Sequence, residues 1–456
     1  MFLLATAFLL QQAATKPSIF EFIDPHRDVV ASAKGAFALM PPELVDSEDV
    51  SQSSWSTDGS FLMYEKDVYR PSINDSLELT NTPDDVEQYI YFWDSRTHKK
   101  SLALSLGPHQ GKFDQAIWLT GANIALVVMR QSFPSSPDRK LPVDHYSVLR
   151  VVPGSNQPQV LLEDEVKPND PGVAIQPSPT TALALVYKIA FNPEEATSRA
   201  RQISSLVVDN GSRLLNVKGT DPASIITFGP TGKPIYLSPE PNAPKGRRKL
   251  LAFPIDEKTG DIGPEDIKGY RPAGEEARPA AIAIETTKLA ATNQKVSKDL
   301  KMVWLSSTTP SDQPRAFVAG EADQSCLSPA LNAVSFRSQG SLFVRELVSF
   351  SLDKYLVVRN EVAKRDAMNH AKSVGTGILM YAADMDDKAP TSKEFATAIQ
   401  PYLRNSDVLN GFSYTYTGGP LDKLPDASKT ALGYTEGPGG RAMVYADGHV
   451  RWIPNG

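Results

Sequence analysis

Between about Val50 and Val348 the chain repeats one pattern: a cluster of Ser, Thr, Pro, Asp or Gly, then at once a short run of β-branched and aromatic residues. The clearest copy is Trp55-Ser-Thr-Asp-Gly-Ser-Phe-Leu-Met-Tyr64. Others begin at Ile117, Gln176, Phe228 and Leu327, and a weaker one begins near Ile282, with Leu289-Ala-Ala-Thr as its following strand. With Trp55, Trp118, Gln176, Phe228, Ile284 and Leu327 as anchors, the spacings are 63, 58, 52, 56 and 43 residues. Each interval suits four short strands plus variable loops, and further strand pairs such as Tyr89–Trp93 with Ser101–Leu106 fall where that reading needs them. An isolated four-stranded sheet cannot bury both faces. The pattern therefore predicts sheets packed radially, a β-propeller of six blades with seven as the alternative count. Material for the sixth blade is short, so an N-terminal strand at Gly35–Met40 is expected to close the ring.

From Ser351 the period changes. Apolar positions Leu352, Tyr355, Leu356, Val362, Ala363, Ala367, Ala371, Val374, Ile378 and Tyr381 recur at mostly three- and four-residue intervals behind Ser351 as N-cap, which predicts one long amphipathic helix to about Ala383. The acidic run Asp384-Met-Asp-Asp and Pro390 stop it. Ser392 is expected to cap a second helix through Leu403. Strands follow at Phe412–Thr417, at Ala431–Thr435 and in a closing hairpin, where Asp447-Gly448 suits a two-residue type I′ turn. The fold class is thus mainly β with a small α+β domain at the C-terminus, divided as 16–350 and 351–456.

Composition sharpens this picture in three places. A net charge of −6 gives no field toward phosphate backbones or anionic lipid, so nucleic acid is not an expected partner. Cys326 is the only cysteine, which excludes an internal disulfide and thiolate metal sites; its apolar strand context reads as an inert buried thiol. Residues 1–15 combine an apolar run too short to span a bilayer with small residues at Ala13–Thr15, the pattern of a secretory signal, although no Lys or Arg precedes the run. No later stretch is long and apolar enough to cross a membrane.

Two resemblances follow from these residues. The Trp55–Tyr64 copy resembles the strand-turn-strand core of WD40-like repeats in TolB-type propellers. The stretch Asn369–Pro390, with its Tyr-x-x-Asp-x-Asp segment, together with Arg441-Ala-Met-Val-Tyr-Ala-Asp-Gly-His-Val450, resembles the globular heads of type II pseudopilin-like proteins of the H-X9-DG type. That second resemblance covers roughly the last 90 residues and implies a long helix lying on a small antiparallel sheet. Pseudopilins carry an apolar membrane-spanning half at the front of that helix, whereas Leu352–Arg365 is charged. The head is expected here as a fused module rather than a filament subunit.

Candidate chemistry is sparse. Asp384, Asp386 and Asp387 offer hard oxygens as a Ca²⁺ loop would, but an EF-hand needs Gly at the sixth place and Glu at the twelfth, where this chain has Ala389 and Phe395. A looser Ca²⁺ site at these three aspartates is the only cofactor candidate, set against a plain solvated helix-stop loop. His449 could ligate a metal or touch a partner, or simply belong to the hairpin. Phe412, Tyr414 and Tyr416 alternate onto one face, as a stacking surface or as cover for the sheet. Lys245-Gly-Arg-Arg-Lys249 reads as a solvated loop. The chain has no Gly-x-Ser-x-Gly elbow, His-Glu-x-x-His pair, phosphate loop or Gly-x-Gly-x-x-Gly. Insertions at about 66–87 and 130–144 would line one rim of the propeller. The sequence thus leans toward a non-enzymatic, exported binding scaffold of periplasm, cell surface or medium, taking a protein, peptide or glycan of the envelope. A propeller enzyme acting at the channel mouth, such as a lyase or glycan-active protein, and an accessory part of a pilus or secretion machine are the alternatives.

Overall fold

The computed structural model describes residues 24, 27–32, 35–69, 72–73, 79–80, 86–133, 143–155, 157–166, 172–190, 201–218, 225–239, 250–264, 266–267, 282–288, 301–308 and 315–455. Residues 1–15, the Leu289 strand and the cluster Lys245–Lys249 lie outside that part. The chain forms two compact units, one of Val30–Ser349 and one built on Phe350–Gly456.

In the first unit, antiparallel sheets follow one another along the sequence. Sheet one contains Val50–Trp55, Phe61–Tyr69, Val86–Asp94 and Lys99–Leu106; sheet two contains Lys112–Trp118, Ala125–Phe133, Val143–Val151 and Gln159–Val166. Sheet three is Val173–Pro177, Ala184–Ala190, Arg201–Val208 and Arg213–Asn216, and sheet four is Ile225–Phe228, Pro234–Pro239 and Leu250–Pro254. Sheet five is Ile282–Lys288, Lys301–Ser307 and Ala316–Ala322. Sheet six joins both ends of the unit, pairing Gln324–Leu327, Ala333–Ser338 and Ser341–Phe350 with the N-terminal strands Val29–Ser32, Gly35–Leu39 and Glu43–Asp46.

The second strands explain why these runs are apolar without a break. Successive side chains on a strand point to opposite faces. On Phe61–Tyr69, Leu62 and Tyr64 pack with Ala333, Leu342 and Val344 of sheet six, while Met63 packs with Phe113, Trp118 and Val127 of sheet two. On Ala125–Phe133 the alternation repeats, with Val127 facing sheet one and Leu126 and Val128 facing Val173, Ile175 and Val186 of sheet three. Leu185 and Leu206 of sheet three meet Ile226, Phe228 and Tyr236 of sheet four, and Val303 and Leu305 of sheet five meet Val334 and Phe336 of sheet six. Each such fully buried side chain contributes about 1.5–3 kcal/mol. Sheets one to four, and sheets five, six and one, stack face to face in chain order, and the last shares strands with the first residues of the unit, the arrangement of a β-propeller.

Hydrogen bonds sort the two ends of the propeller. The turns between first and second strands are short and linked to one another. Asn123 Nδ2 donates to Asp58 Oδ2 at 3.0 Å, Thr120 Oγ1 to the Ser178 carbonyl, Ser178 Oγ to the Gly232 carbonyl at 2.8 Å, and Asn332 Nδ2 to the Gly59 carbonyl at 3.2 Å. Gly59, at φ +70°, can carry no Cβ there, because one would sit 2.3 Å from Ser328 Oγ. Burial pushes the Asp58 carboxyl up, but donors from Ser60, Asn123 and Ser56 outweigh it and hold the group at about 2. At the opposite end the second strands finish and the third strands begin, at Tyr69 and Val86, Phe133 and Val143, Ala190 and Arg201, and Pro239 and Leu250, with long connections in sequence between them.

The tryptophan anchors named from the sequence act alike. The Trp55 indole donates to Ser335 Oγ at 3.1 Å and to the Cys326 carbonyl at 3.3 Å, and the Trp118 indole donates to the Ser54 carbonyl at 3.0 Å. Each tryptophan ends an inner strand and fastens it to the preceding sheet, whereas Gln176, one residue before the end of its strand, donates to Thr227 Oγ1 of the following sheet at 3.3 Å. Ile284 departs from this. Ala316–Ala322 runs into Gln324–Leu327 through Asp323 alone, so it is the outermost strand of sheet five. Counting inward, Ile282–Lys288 takes a second-strand position.

At the closure, His98 donates or accepts between Glu43 Oε2 at 2.6 Å and Glu346 Oε1 at 3.2 Å. Its hydrogen bond to Glu43 raises its pKa, so this stabilisation is full below about pH 6.5 and fades as pH rises through the folded value. All three side chains are more than a third exposed, so screening limits the effect. His98→Ala is expected to lower the urea midpoint by the equivalent of about 0.5 kcal/mol at pH 5.5 and by nothing measurable at pH 9.

The second unit rests on a 33-residue helix, Leu352–Asp384, capped by Ser351, whose side chain accepts from the Lys354 amide at 3.4 Å. Ala367, Ala371, Val374, Ile378 and Ala382 form its buried stripe against Leu432, Ala442 and Val444. The sheet beneath runs Phe412–Tyr414, Ala431–Gly437, Gly440–Tyr445, Val450–Pro454. Three details differ from the sequence reading. Ser392 bonds the Tyr416 carbonyl instead of capping a helix, and the helix is only Phe395–Ile399, with Pro401 turning the following residues into a 3-10 turn. The strand expected to Thr417 ends at Tyr414. In the hairpin, Gly448 alone has positive φ, +86°. The Gly448 amide donates to the Tyr445 carbonyl, and the Tyr445 amide donates to the His449 carbonyl. That is a three-residue loop with a left-handed glycine, not a type I′ turn.

Candidate functional site

At the loop-bearing end of the propeller a charged residue stands in the same register near the end of the second strand of several sheets. Lys66 stands opposite Val50, Arg130 opposite Lys112, Lys188 opposite Val173 and Arg337 opposite Gln324. In each case the partner residue is the first of the inner strand. Each cation meets a carboxylate: Lys66 to Asp46 at 3.2 Å, Arg130 to Asp114 at 3.1 Å, Lys188 to Asp164 at 3.0 Å and Arg337 to Asp323 at 2.8 Å. A long side chain lets the strand end apolar inside and polar at the rim.

Asp46 is the most buried of these carboxylates. Its burial would raise it, but bonds from Lys100, Tyr64 and Lys66 prevail and keep it ionised below the usual range. One residue along the strand from Tyr64, on the opposite face, Glu65 meets the reverse environment. It is 7 % exposed, and burial pushes its carboxyl up to about 7 against one stabilising bond from Gln52, with the Asp67 charge pushing the same way as burial. Gln88 ties this seam together, donating to Asp67 at 2.7 Å and accepting from the Phe113 amide of sheet two at 2.7 Å.

The inner strands of sheets one and two are also irregular at equivalent places. Register shifts between Val50 and Gln52 and again between Phe113 and Gln115 make bulges at Ser51 and Asp114, each four residues before its anchor tryptophan. Bulges re-aim side chains and recur beside functional sites. Here the second one places Asp114 between Lys112 and Arg130, with Arg130 reaching Asp144 at 3.6 Å. Chemically the seam holds fixed charges and one carboxyl able to give or take a proton near neutrality.

The sequence candidates lie elsewhere. Asp384 ends the long helix and accepts from the Tyr402 hydroxyl at 2.9 Å, while Asp386 and Asp387 take left-handed backbone angles in the following turn. Among the described residues no three His, Cys, Asp or Glu side chains are grouped to hold a metal ion. The His449 ring stacks on Tyr445 at 4.4 Å and meets Asp447 at 2.5 Å. Phe412, Tyr414 and Tyr416 pack into the helix-sheet core, Tyr414 stacked on Phe395 at 4.2 Å. The Cys326 thiol is half-buried and pushed up by that burial. Among the described residues no helix is long and apolar enough to cross a membrane.

The chain is therefore a β-propeller with a charged, loop-bearing end, followed by a helix-on-sheet unit. No family model matches it, and no curated protein does. Among solved structures, a gluconolactonase from Xanthomonas campestris is similar over 73% of this chain and 98% of its own, at 10% identity and a TM-score of 0.28. A protein assigned as a dipeptidyl aminopeptidase IV from Bacteroides ovatus is similar over 71% of this chain, at 11% identity and a TM-score of 0.30. The chain spans about half of that second protein, 47% of its length. At these scores neither neighbour speaks to activity.

Proposed function

We propose that the chain is an exported binding scaffold: a six-bladed propeller that offers its loop-bearing end to an envelope protein, peptide or glycan, with a pseudopilin-like head at residues 351–456 as a second docking module. The observation that carries this reading is the asymmetry of the propeller. One end is stitched by bonds between short turns, such as Asn332 to Gly59 and Asn123 to Asp58. The other is a rim of ion pairs, Lys66 to Asp46, Arg130 to Asp114 and Lys188 to Asp164 among them, beyond which the second strands end. Rigid scaffolds that present variable loops are interaction surfaces by construction. In-cell crosslinking with mass spectrometry tests it. Lys66, Lys112 and Lys188 at the rim are expected to link reproducibly to one envelope component, in the exported fraction. Links scattered over abundant proteins, or a cytosolic pool, would remove the proposal.

A second reading is favoured by Glu65 alone. A buried carboxyl near neutral pKa is what a general acid or base requires, so a propeller enzyme acting on glycans is the alternative. Turnover of a glycan panel that disappears in Glu65→Gln would establish it over the scaffold.

A further inference from the structure

Where sheets five and six meet at the loop-bearing end there is a cleft of about 270 Å³, lined by Ile284, Thr286, Lys301, Val303, Ala322, Asp323, Gln324 and Ser325. Strand parity sorts this lining. Val303 and Leu305 face sheet six within the core, so Lys301, two residues before Val303, faces the same way. Thr286 shares the face of Ile284, and Ser325 that of Leu327, both packed on the same core. The cleft thus has an apolar back wall, Ile284, Val303 and Ala322, faced by the Lys301 ammonium and the Thr286 and Ser325 hydroxyls, with the Gln324 amide, whose Oε1 is buried without a partner among the described residues, beside Asp323 in the lining.

The charges do not cancel. The acidic side chain of the lining, Asp323, is held by Arg337 Nε at 2.8 and 3.0 Å, so it is already neutralised from the far side. Elsewhere on the rim Lys66, Arg130, Lys188 and Arg337 each have a carboxylate. Among the described residues Lys301 has none, and neither the Thr286 nor the Ser325 hydroxyl has a hydrogen-bond partner. In a chain of net charge −6, a cation without a carboxylate among the described residues, beside two hydroxyls without a partner among them and an apolar wall, is a complement to an anion with its own hydroxyls and C–H face. The volume falls just under the usual range for drug-sized ligands and suits one ring.

We propose that this cleft binds a small hydroxylated carboxylate of the size of one uronic acid residue. The carboxylate meets Lys301, ring hydroxyls meet Thr286 and Ser325, and the C–H face lies on Ile284, Val303 and Ala322. This rests on the binding-scaffold reading and narrows its glycan branch to acidic sugars.

Saturation-transfer NMR on the full chain, with D-glucuronate, D-glucose and propionate as probes, tests it. Glucuronate is expected to receive saturation, with at least tenfold weaker binding for glucose and for propionate. Lys301→Met is expected to weaken glucuronate at least tenfold with an unchanged melting temperature, and Lys301→Arg to retain it. Absence of transfer to glucuronate, equal binding of glucose or propionate, or a Lys301→Met variant that binds as well as the parent would each overturn the assignment. Crosslinking of Lys301→Met in cells separates the two proposals, because an envelope protein captured through the loops persists if only the sugar site fails.

Discussion

Arg345→Ala is expected to lower the stability of the propeller by about 3–5 kcal/mol. Arg345 is 6 % exposed on the strand where the N-terminal strands join sheet six. Its guanidinium donates to the carbonyls of Met40 and Phe317 at 2.7 Å and of Val318 and Leu39 at 3.2 Å. One side chain thus holds the end of sheet five, the last strands of sheet six and the first strands of the unit. Truncation leaves those carbonyls buried without their donor, and a hydrogen bond to a charged group is worth about 1.5–3 kcal/mol. Arg345→Lys keeps the charge but not the planar fork, so it should recover only part of the loss. Urea unfolding followed by tryptophan fluorescence reads both. The propeller unit holds Trp55, Trp93, Trp118 and Trp304. A midpoint unchanged in Arg345→Ala would show that backbone pairing with Gly35–Leu39 alone suffices for closure.

The closing strand was legible because Gly35-Ala-Phe-Ala-Leu is an apolar run that precedes the first repeat copy at Trp55, while the sixth copy at Leu327 is short of strands. The tryptophan anchors were legible for a related reason, since a large aromatic before a polar turn recurs only if each copy packs the same way. Ile284 misled because Ile-Ala-Ile-Glu-Thr-Thr is as good a second strand as a first; only the one-residue step from Ala322 to Gln324 fixes its place. In the second unit the three- and four-residue spacing located the helix to within a residue or two, while turn chemistry failed. Ser392 had a closer acceptor in Tyr416, and Asp447 did not need a left-handed angle once the loop took three residues.

The candidate site was largely hidden. Lys66, Arg130, Lys188 and Arg337 lie at unequal distances from their turns, and their aspartates come from different strands, so no linear motif joins them. What could have revealed them is the repeated end of an apolar run in a single Lys or Arg, as in Phe-Leu-Met-Tyr-Glu-Lys66 and Leu-Val-Tyr-Lys188. Glu65 carried a sharper signal, as a carboxylate in a strand whose other central residues are all core.

That oddity supports the last prediction. Glu65 has a folded pKa of about 7 against an ordinary 4.5. A carboxyl raised on folding lends stability that is complete below pH 4.5 and lost as pH climbs through 7, by up to about 3 kcal/mol at 1.36 kcal/mol per unit. Glu65→Gln keeps the shape and a hydrogen-bonding partner for Gln52 but cannot ionise. It should match the parent near pH 4.5, exceed it by up to about 3 kcal/mol at pH 8, and show a flatter stability curve between. Urea midpoints at the two pH values decide it; equal slopes for parent and variant would assign the buried proton elsewhere. A residue that costs the fold stability at neutral pH is retained for some other reason. If Glu65→Gln is more stable and loses partner capture or glycan turnover, that reason lies in the seam between the first two sheets. If it is more stable and unchanged in both, the functional surface is confined to the loops and the cleft at Lys301.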